Sequence, residues 1–150
     1  MLGDPALYQW IARAPPASLA EIEQRFGRIS QRTAEGRADQ WLNWTAWLPD
    51  GLSAVGIVET TVTPTYVASI GYLFGRAFWG RGYASEAVAA VIALLGAAGV
   101  VAFEASIDTR NLASRALASR LGFTLIETRP SDDIIGGAPS MEEVWRRRRG

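Results

Sequence analysis

The chain has 150 residues, of which 49% are hydrophobic, and its 15 basic residues balance 15 acidic ones. That length suits one domain with one core, and a net charge of zero gives no general field for nucleic acid or for an anionic membrane. The sequence contains neither cysteine nor histidine, which excludes a disulfide framework, a thiol or serine–histidine acyl-enzyme pathway, and a zinc site built from those residues.

The N-terminus shows no basic segment followed by an apolar one, so a secretory signal is not expected and the cytoplasm is the expected location. Residues 87–103 carry no charge, but they are slightly short for a membrane span. Gly96 and Gly99 divide them into a predicted buried helix and a predicted buried strand.

The first predicted element is a helix over residues 17–32, which follows Pro15 and Pro16. Its apolar residues have the spacing of a helix with one apolar side; they are Leu19, Ile22, Phe26 and Ile29.

Three tryptophans follow at steps of three, Trp41, Trp44 and Trp47, which would fit a helical stripe. The adjoining Leu48-Pro49-Asp50-Gly51 and the β-branched run of residues 54–63 favour a β-hairpin instead. The tryptophans are therefore predicted to pack on the sheet, with an aromatic wall around a substrate as the alternative.

A glycine turn in the middle of the chain is the strongest functional signal. Residues 66–74 have the composition of a strand, and residues 84–95 have the apolar density of a buried helix. Between them Gly80 and Gly82 can adopt left-handed angles and let phosphate oxygens approach the backbone. The first amides of the helix lack partners and lie at its positive end, so the segment predicts a diphosphate site. A purely structural corner is the alternative.

Two better-known phosphate motifs do not fit this turn. Arg81 stands where a nucleotide P-loop has lysine, and Gly82 stands where it has Ser or Thr. The third glycine of a dinucleotide fingerprint is replaced by Ser85. Chemistry on ATP, GTP or a dinucleotide is therefore not expected.

A second strand at residues 100–107 leads into Asn111 and another helix, and here the chain resembles the GNAT N-acetyltransferases. The resemblance is nearest to the branch of the ribosomal-protein N-terminal (alanine/serine) acetyltransferases. The matching segments lie in the family's order and spacing: Ile70-Gly71-Tyr72, Trp79-Gly80-Arg81-Gly82-Tyr83-Ala84-Ser85-Glu86-Ala87, Asn111 with Ser114, and Leu121-Gly122-Phe123.

The resemblance implies an α+β fold, a mostly antiparallel sheet with helices on both faces. Strands 66–74 and 100–108 are predicted to run parallel because a helix crosses between them. In the family these two strands splay apart and the thioester of acetyl-CoA lies in the gap, while the helix predicted at 17–32 covers the acceptor.

The resemblance also implies which residues bind acetyl-CoA. The backbone of Leu73, Phe74 and Gly75 would bind the pantetheine arm as an added strand. Asn111 would cap its helix and also contact the arm, with capping alone as the alternative. The pyrophosphate would lie on the glycine turn, formed by Trp79, Gly80, Arg81, Gly82, Tyr83, Ala84 and Ser85.

Acyl transfer in such a site is direct and needs an acid and a base but no metal. By resemblance Ser114 would bind acetyl-CoA near its sulfur and protonate the departing thiolate; an ordinary helix serine is the alternative. Relatives carry a glutamate where this chain has Ser69, so the base is sought elsewhere. Asp133 falls at the position of a catalytic glutamate in an ungapped alignment, and Glu59 and Glu104 are the other candidates.

Both ends of the chain carry expectations. Only three residues precede Asp4-Pro5, whereas the family has a strand and a helix before that point, so the first strand and most of the first helix are expected to be missing. An unpaired sheet edge would favour a homodimer. Residues 141–149 predict a last strand ending in four arginines, expected to be frayed and solvated, or else to bind an acidic partner.

The sequence thus predicts a single domain over residues 1–150 that transfers an acetyl group from acetyl-CoA to a primary amine, either a peptide N-terminus or a small molecule. A module that binds CoA or acyl-CoA without catalysis is the second hypothesis, motivated by Ser69 and the short start. An unrelated nucleotide-binding domain is the third.

Overall fold

A computed structural model describes residues 1–31 and 38–150. Apart from the strand Thr124–Ile135, which was not predicted, its helices and strands follow the predicted order along the chain. They are α1 (Leu19–Ile29), β1 (Gln40–Trp47), β2 (Ala54–Val62), β3 (Val67–Phe74), α2 (Tyr83–Ala97), β4 (Ala102–Asp108), α3 (Leu112–Arg120), β5 (Thr124–Ile135) and β6 (Ala138–Arg148). The strands form a single sheet in the order β1-β2-β3-β4-β6-β5.

Helix α1 begins and ends close to its predicted limits. The Ser18 hydroxyl accepts a hydrogen bond from the Glu21 amide at 3.2 Å, which caps the helix N-terminus. The helix ends at Ile29, and Arg32, which was predicted within it, lies outside the described residues. Phe26 packs α1 against one face of the sheet, where it meets Ile57 and the buried end of β3.

The tryptophan segment is a strand, as predicted, and the helical stripe is excluded. β1 pairs antiparallel with β2 from Gln40 opposite Val62 to Trp47 opposite Ala54. Trp44 packs against the main core, whereas Trp47 is 56% exposed.

Helix α2 packs on the opposite face of the sheet from α1. It buries Val88, Val91, Ile92 and Leu95 against a core that includes the fully buried Phe103 and Val58. Helices therefore cover both faces, which confirms that prediction. Within residues 1–31 and 38–150, none of the helices has both the length and the apolar character needed to cross a membrane.

The predicted parallel pair is β3 with β4, and its pairing is short. Three register pairs join the strands, and the last is Ser69 opposite Glu104. Beyond that point β3 remains bonded to β2 on one side, and β4 remains bonded to β6 on the other. The two strands therefore diverge, and the α+β fold with one splayed parallel pair is confirmed.

The segment after Pro130, where the sequence analysis predicted no strand, is a β-hairpin. β5 continues to Ile135 and pairs with β6 through a turn at Gly136 and Gly137, both with positive φ (62° and 79°). Such angles at two central residues are typical of a type I′ hairpin turn. Asp133 therefore lies on a strand, at a break in the register between Pro130 and Ile134.

The arginine-rich end is ordered, so the expectation of a frayed tail is wrong. The Arg147 guanidinium donates to the Leu121 carbonyl at the end of α3 (2.8 Å), and Arg149 donates to the Gly96 carbonyl near the end of α2 (3.1 Å). Arg146 forms an ion pair with Glu104. Arg147 and Arg149 thus bind carbonyl groups at the C-terminal ends of α3 and α2, where a helix favours positive charge.

Replacing Arg147 with methionine should therefore lower the free energy of unfolding by about 1–3 kcal/mol, because a charge-assisted hydrogen bond to a helix end is lost. Arg148→Met is the matched control, since Arg148 is exposed and forms no hydrogen bond or ion pair with a described residue. Urea denaturation of both variants measures the difference, and equal stabilities would contradict the capping role.

Candidate active site

The candidate site is the gap that opens between β3 and β4 after Ser69 and Glu104. Gly75 follows β3, and a short 3₁₀ helix (Arg76–Phe78) leads into the glycine turn and α2. Asn111 and α3 follow β4 in the same way. Because the strands are parallel, both helix N-termini lie at the same edge of the sheet, beside the gap.

The glycine turn has the geometry predicted for an anion site. Gly80 and Gly82 have φ of 72° and 84°, and Gly82 is the N-cap of α2 without any side-chain capping bond. A Cβ built at either glycine would meet no atom within 4 Å. The first amides of α2, from Tyr83 to Ser85, have no intrahelical partner and lie at the positive end of the helix, next to the two glycines.

The backbone of β3 alternates between its two neighbours. The Val67 carbonyl and the Gly75 amide both bond towards β2, to Thr63 and Val55, at 2.9 Å each. The odd-numbered residues of β3 therefore bond to β2, and the even-numbered residues face β4 and the gap.

The expectation that the backbone is free from Leu73 to Gly75 is therefore wrong for Leu73 and Gly75. The groups that face the gap belong to Tyr72 and Phe74. The Phe74 carbonyl also accepts a hydrogen bond of 2.7 Å from the Trp79 indole. Trp79, predicted as part of the phosphate turn, thus ties that turn to the end of β3.

Asn111 caps α3, as the sequence predicted. Its side-chain oxygen accepts a hydrogen bond from the Ser114 backbone amide at 3.1 Å. The backbone amide of Asn111 donates to the Asp108 backbone carbonyl at 2.9 Å. The cap places Ser114, which is half-buried, in the first turn of the helix.

Tyr72 is a site residue that sequence reasoning missed, although it belongs to the segment that carried the resemblance. Its hydroxyl oxygen is buried and has no hydrogen-bond partner among the described residues. Burial raises the pKa of Tyr72, and the nearby Ser114 hydroxyl and Arg120 oppose that shift more weakly. The one sequence signal was an aromatic hydroxyl on a strand otherwise made of apolar and small residues.

The candidate bases differ in their partners. Glu59 forms an ion pair with Arg25 of α1, and Glu104 forms one with Arg146 of β6. Asp133 is exposed and makes no ion pair with a described residue; its amide donates to the Ser131 hydroxyl at 3.2 Å. Among the three carboxylates, Asp133 is thus the one without an arginine partner in the described part of the chain.

A buried network connects the hairpin that carries Asp133 to the start of α3. Asp108, whose side chain is fully buried, accepts hydrogen bonds from Arg110 (2.7 and 2.8 Å) and from Ser140 (2.7 Å). Chiefly because of the Arg110 guanidinium, the pKa of Asp108 is held well below its usual range, so Asp108 is a poor proton acceptor at neutral pH.

Arg110 extends this network in two directions. Its guanidinium donates to the Ile135 carbonyl at 3.2 Å and lies 5.3 Å from the ring centre of Trp10. The arginine therefore fixes the end of β5, two residues after Asp133, beside Asn111.

Comparison with known families gives a match over most of the chain. The profile described as "Acetyltransferase (GNAT) domain" matches residues 1–124. No curated protein sequence matches significantly.

Several solved structures share the fold. An acetyltransferase from Salmonella typhimurium, which modifies the N-terminal serine of ribosomal protein L7/L12, has a TM-score of 0.80 at 20% identity, covering 95% of this chain and 81% of that one. The ribosomal-protein-S5-alanine acetyltransferase from Vibrio fischeri has a TM-score of 0.78 at 19% identity, covering 96% and 80%. Spermidine N-acetyltransferase from Vibrio cholerae, in complex with CoA and spermine, has a TM-score of 0.80 at 12% identity, covering 98% and 85%.

Proposed function

The chain belongs to the GNAT acetyltransferase family, and we propose that it transfers the acetyl group of acetyl-CoA directly to a primary amine within a ternary complex. The observation that carries the proposal is the gap between β3 and β4, which opens beside an uncapped, glycine-lined helix N-terminus. An extended thioester with a diphosphate at one end has the shape and charge that this arrangement accommodates.

The diphosphate is assigned to the open space before α2. The amides of Tyr83, Ala84 and Ser85 would donate to its oxygens, and Arg81, which is exposed in the turn, would add a positive charge. The pantetheine arm would then lie along the gap, against the backbone of Tyr72 and Phe74 on one side and Asn111 on the other.

The chemistry assigned to the site is proton transfer around a direct attack. Asp133 accepts the proton of the attacking amine, and Ser114 gives a proton to the sulfur as the thioester carbon–sulfur bond breaks. The Arg110 network supports this assignment for Asp133, because it fixes the hairpin beside the N-terminus of α3.

The acceptor is assigned to the face of the sheet that α1 covers. Glu59, Ser69 and Glu104 share this face. Glu104 lies opposite Ser69, and Glu59 lies opposite Gly71, which is two residues along β3 from Ser69 and therefore on the same face. The similar structures act on a protein N-terminus or on spermidine, and a peptide N-terminus and a small amine both fit the proposal.

The proposal treats residues 1–150 as one acetyltransferase domain in the cytoplasm, without nucleic-acid or membrane partners. It is supported by one continuous sheet and by a net charge of zero. β1 is an edge strand of that sheet, so a homodimer joined along β1 is a further part of the proposal.

A module that binds acyl-CoA without catalysis is the second candidate, and Ser69 is the observation that favours it. The relatives' glutamate position holds a hydroxyl here, and Glu104, the carboxylate that pairs with Ser69 on the neighbouring strand, forms an ion pair with Arg146. Titration with acetyl-CoA, CoA and ATP tests what both candidates share. Preference for the CoA species supports the site, and preference for ATP would contradict it.

Changing Asp133 to asparagine should lower turnover by about tenfold or more, because the amide cannot accept the amine's proton. The dissociation constant of acetyl-CoA should stay the same, since Asp133 is not assigned to its binding. Glu104→Gln is the control and should retain most of the turnover. Steady-state rates measure the turnover, and calorimetry measures the dissociation constant. A larger loss of turnover in Glu104→Gln than in Asp133→Asn would transfer the role of base to Glu104.

A further inference from the structure

The Tyr72 hydroxyl is a polar group whose position costs stability. Among the described residues, two buried side-chain atoms lack a hydrogen-bond partner, the Tyr72 hydroxyl and the Asn43 side-chain oxygen. A hydroxyl removed from water without a partner destabilises the folded state. Such groups are rare in folded proteins, and those that occur need an explanation, such as a functional role.

The position of Tyr72 connects it to the gap. Tyr72 lies three residues beyond Ser69, the last residue of β3 that pairs with β4. Side chains alternate along a strand, so its ring is on the same face as the buried Ile70 and Phe74, and its ring centre is 6.4 Å from that of Phe74. This is the face on which α2 and α3 pack.

Ser114 reaches the same place from the other side of the gap. Its hydroxyl acts on the Tyr72 hydroxyl, since it opposes the upward shift that burial gives the tyrosine's pKa. Arg120, also on α3, is the other group that acts on Tyr72. One hydroxyl comes from β3 and the other from the first turn of α3, which follows β4, so the two belong to the two elements that border the gap.

The protonation state of Tyr72 decides its role. The raised pKa keeps the phenol neutral through the neutral and mildly alkaline range, so the group is a hydrogen-bond donor there and not a base. The Ser114 hydroxyl can both donate and accept a hydrogen bond. A phenol that donates to the serine oxygen leaves the serine proton to point elsewhere.

We propose that Tyr72 is a positioning residue for Ser114: its hydroxyl donates to the Ser114 oxygen and directs the serine proton to the sulfur of the thioester. The inference rests on the proposed function, which assigns Ser114 as the acid. Hydrogen bonds of this kind are often long in a free enzyme and tighten when the substrate fills the site.

The proton balance of the step is simple. The amine nitrogen bonds to the acetyl carbon, the carbon–sulfur bond breaks, and the sulfur takes the Ser114 proton. The base releases the amine's proton to solvent, and Ser114 recovers a proton from solvent. The Tyr72 proton stays on its oxygen throughout, and its hydrogen bond strengthens as negative charge develops on Ser114.

Tyr72→Phe tests the inference through activity and stability together. We expect kcat to fall by about tenfold or more while the dissociation constant of acetyl-CoA changes less than about twofold. The Tm should stay equal or rise, because the variant removes a buried hydroxyl that has no partner. Tyr8→Phe is the matched control for stability: the Tyr8 hydroxyl donates to the Leu2 carbonyl at 2.7 Å, so its loss should lower the Tm.

The double variant Tyr72→Phe, Ser114→Ala shows whether the tyrosine acts through the serine. If it does, removing Tyr72 in the absence of Ser114 should lower kcat by less than about twofold. The inference is overturned if Tyr72→Phe retains wild-type kcat, if its Tm and kcat fall together, or if the two substitutions act independently.

The same experiment separates this inference from the proposed function. An unchanged kcat in Tyr72→Phe beside a reduced kcat in Ser114→Ala overturns the role of Tyr72 alone. An unchanged kcat in Ser114→Ala overturns the assignment of the acid and the role of Tyr72 with it. A wild-type protein that acetylates no amine overturns the proposed function and, with it, this inference.

Discussion

Replacing Gly82 with leucine is expected to weaken acetyl-CoA binding by about 100-fold, or about 3 kcal/mol. Two effects combine at this residue. A left-handed φ of 84° strains any side chain. A Cβ there would extend into the space before α2, where it meets no atom of the described residues within 4 Å apart from those of its chain neighbours. That space is where the diphosphate is proposed to bind, so acetyl-CoA affinity should fall more than the stability of the fold. Calorimetric titration measures the loss.

Gly51→Leu is the matched control for backbone strain. Gly51 has a similar φ of 68°, and a Cβ there also meets nothing within 4 Å, but it lies in the exposed turn between β1 and β2. Both variants should lose similar stability, and Gly51→Leu should bind acetyl-CoA like the wild type. Equal affinity in the two variants would mean that the turn before α2 is a structural corner.

Replacing Ser114 with alanine should lower kcat by about 100-fold, because the departing thiolate loses its proton donor. Acetyl-CoA affinity should change little, since the Ser114 backbone amide still donates to the Asn111 cap. Ser119→Ala is the control: Ser119 lies on the same helix but is exposed. Single-turnover measurements separate the chemical step from binding.

A loss of affinity in Ser114→Ala without a loss of kcat would contradict the acid role and leave Ser114 as a binding residue. Wild-type behaviour in both serine variants would leave Ser114 as an ordinary helix serine.

Local patterns predicted the elements that position the site. The glycines at 80 and 82, the apolar density of α2 and the asparagine at 111 each act within a few residues, so strand, turn, helix and cap were readable from the sequence. The parallel direction of β3 and β4 followed from the crossover helix alone. The splay itself came from the resemblance.

What the sequence did not show depends on contacts between distant residues. The Trp79 indole bonds to the Phe74 carbonyl, and Arg147 bonds to the end of α3; neither follows from a periodic pattern. Strand β5 was missed because its edge position leaves it almost wholly exposed, so it has no alternating apolar face. Gly136-Gly137 between apolar residues was the signal that could have found the hairpin.

The sequence alone could not identify the catalytic base. The sequence offered Asp133 by alignment and Glu59 and Glu104 as further candidates. The structure separates them by their partners, since arginines pair with Glu59 and Glu104 whereas no arginine of residues 1–31 and 38–150 pairs with Asp133. The partners come from α1 and β6, far away along the chain. The role inferred for Tyr72 likewise depends on residues that are far apart along the chain, because the groups that act on its hydroxyl belong to α3.

The most direct test of the central claim is to incubate the protein with acetyl-CoA and a panel of primary amines, and to measure free thiol and acetylated amine together. The panel would contain peptides with N-terminal serine and alanine, spermidine and an aminoglycoside. We predict thiol release that depends on one class of amine and equals the acetylated product in amount. Tight acetyl-CoA binding without acetylation of any amine would contradict catalysis and support the module that only binds acyl-CoA.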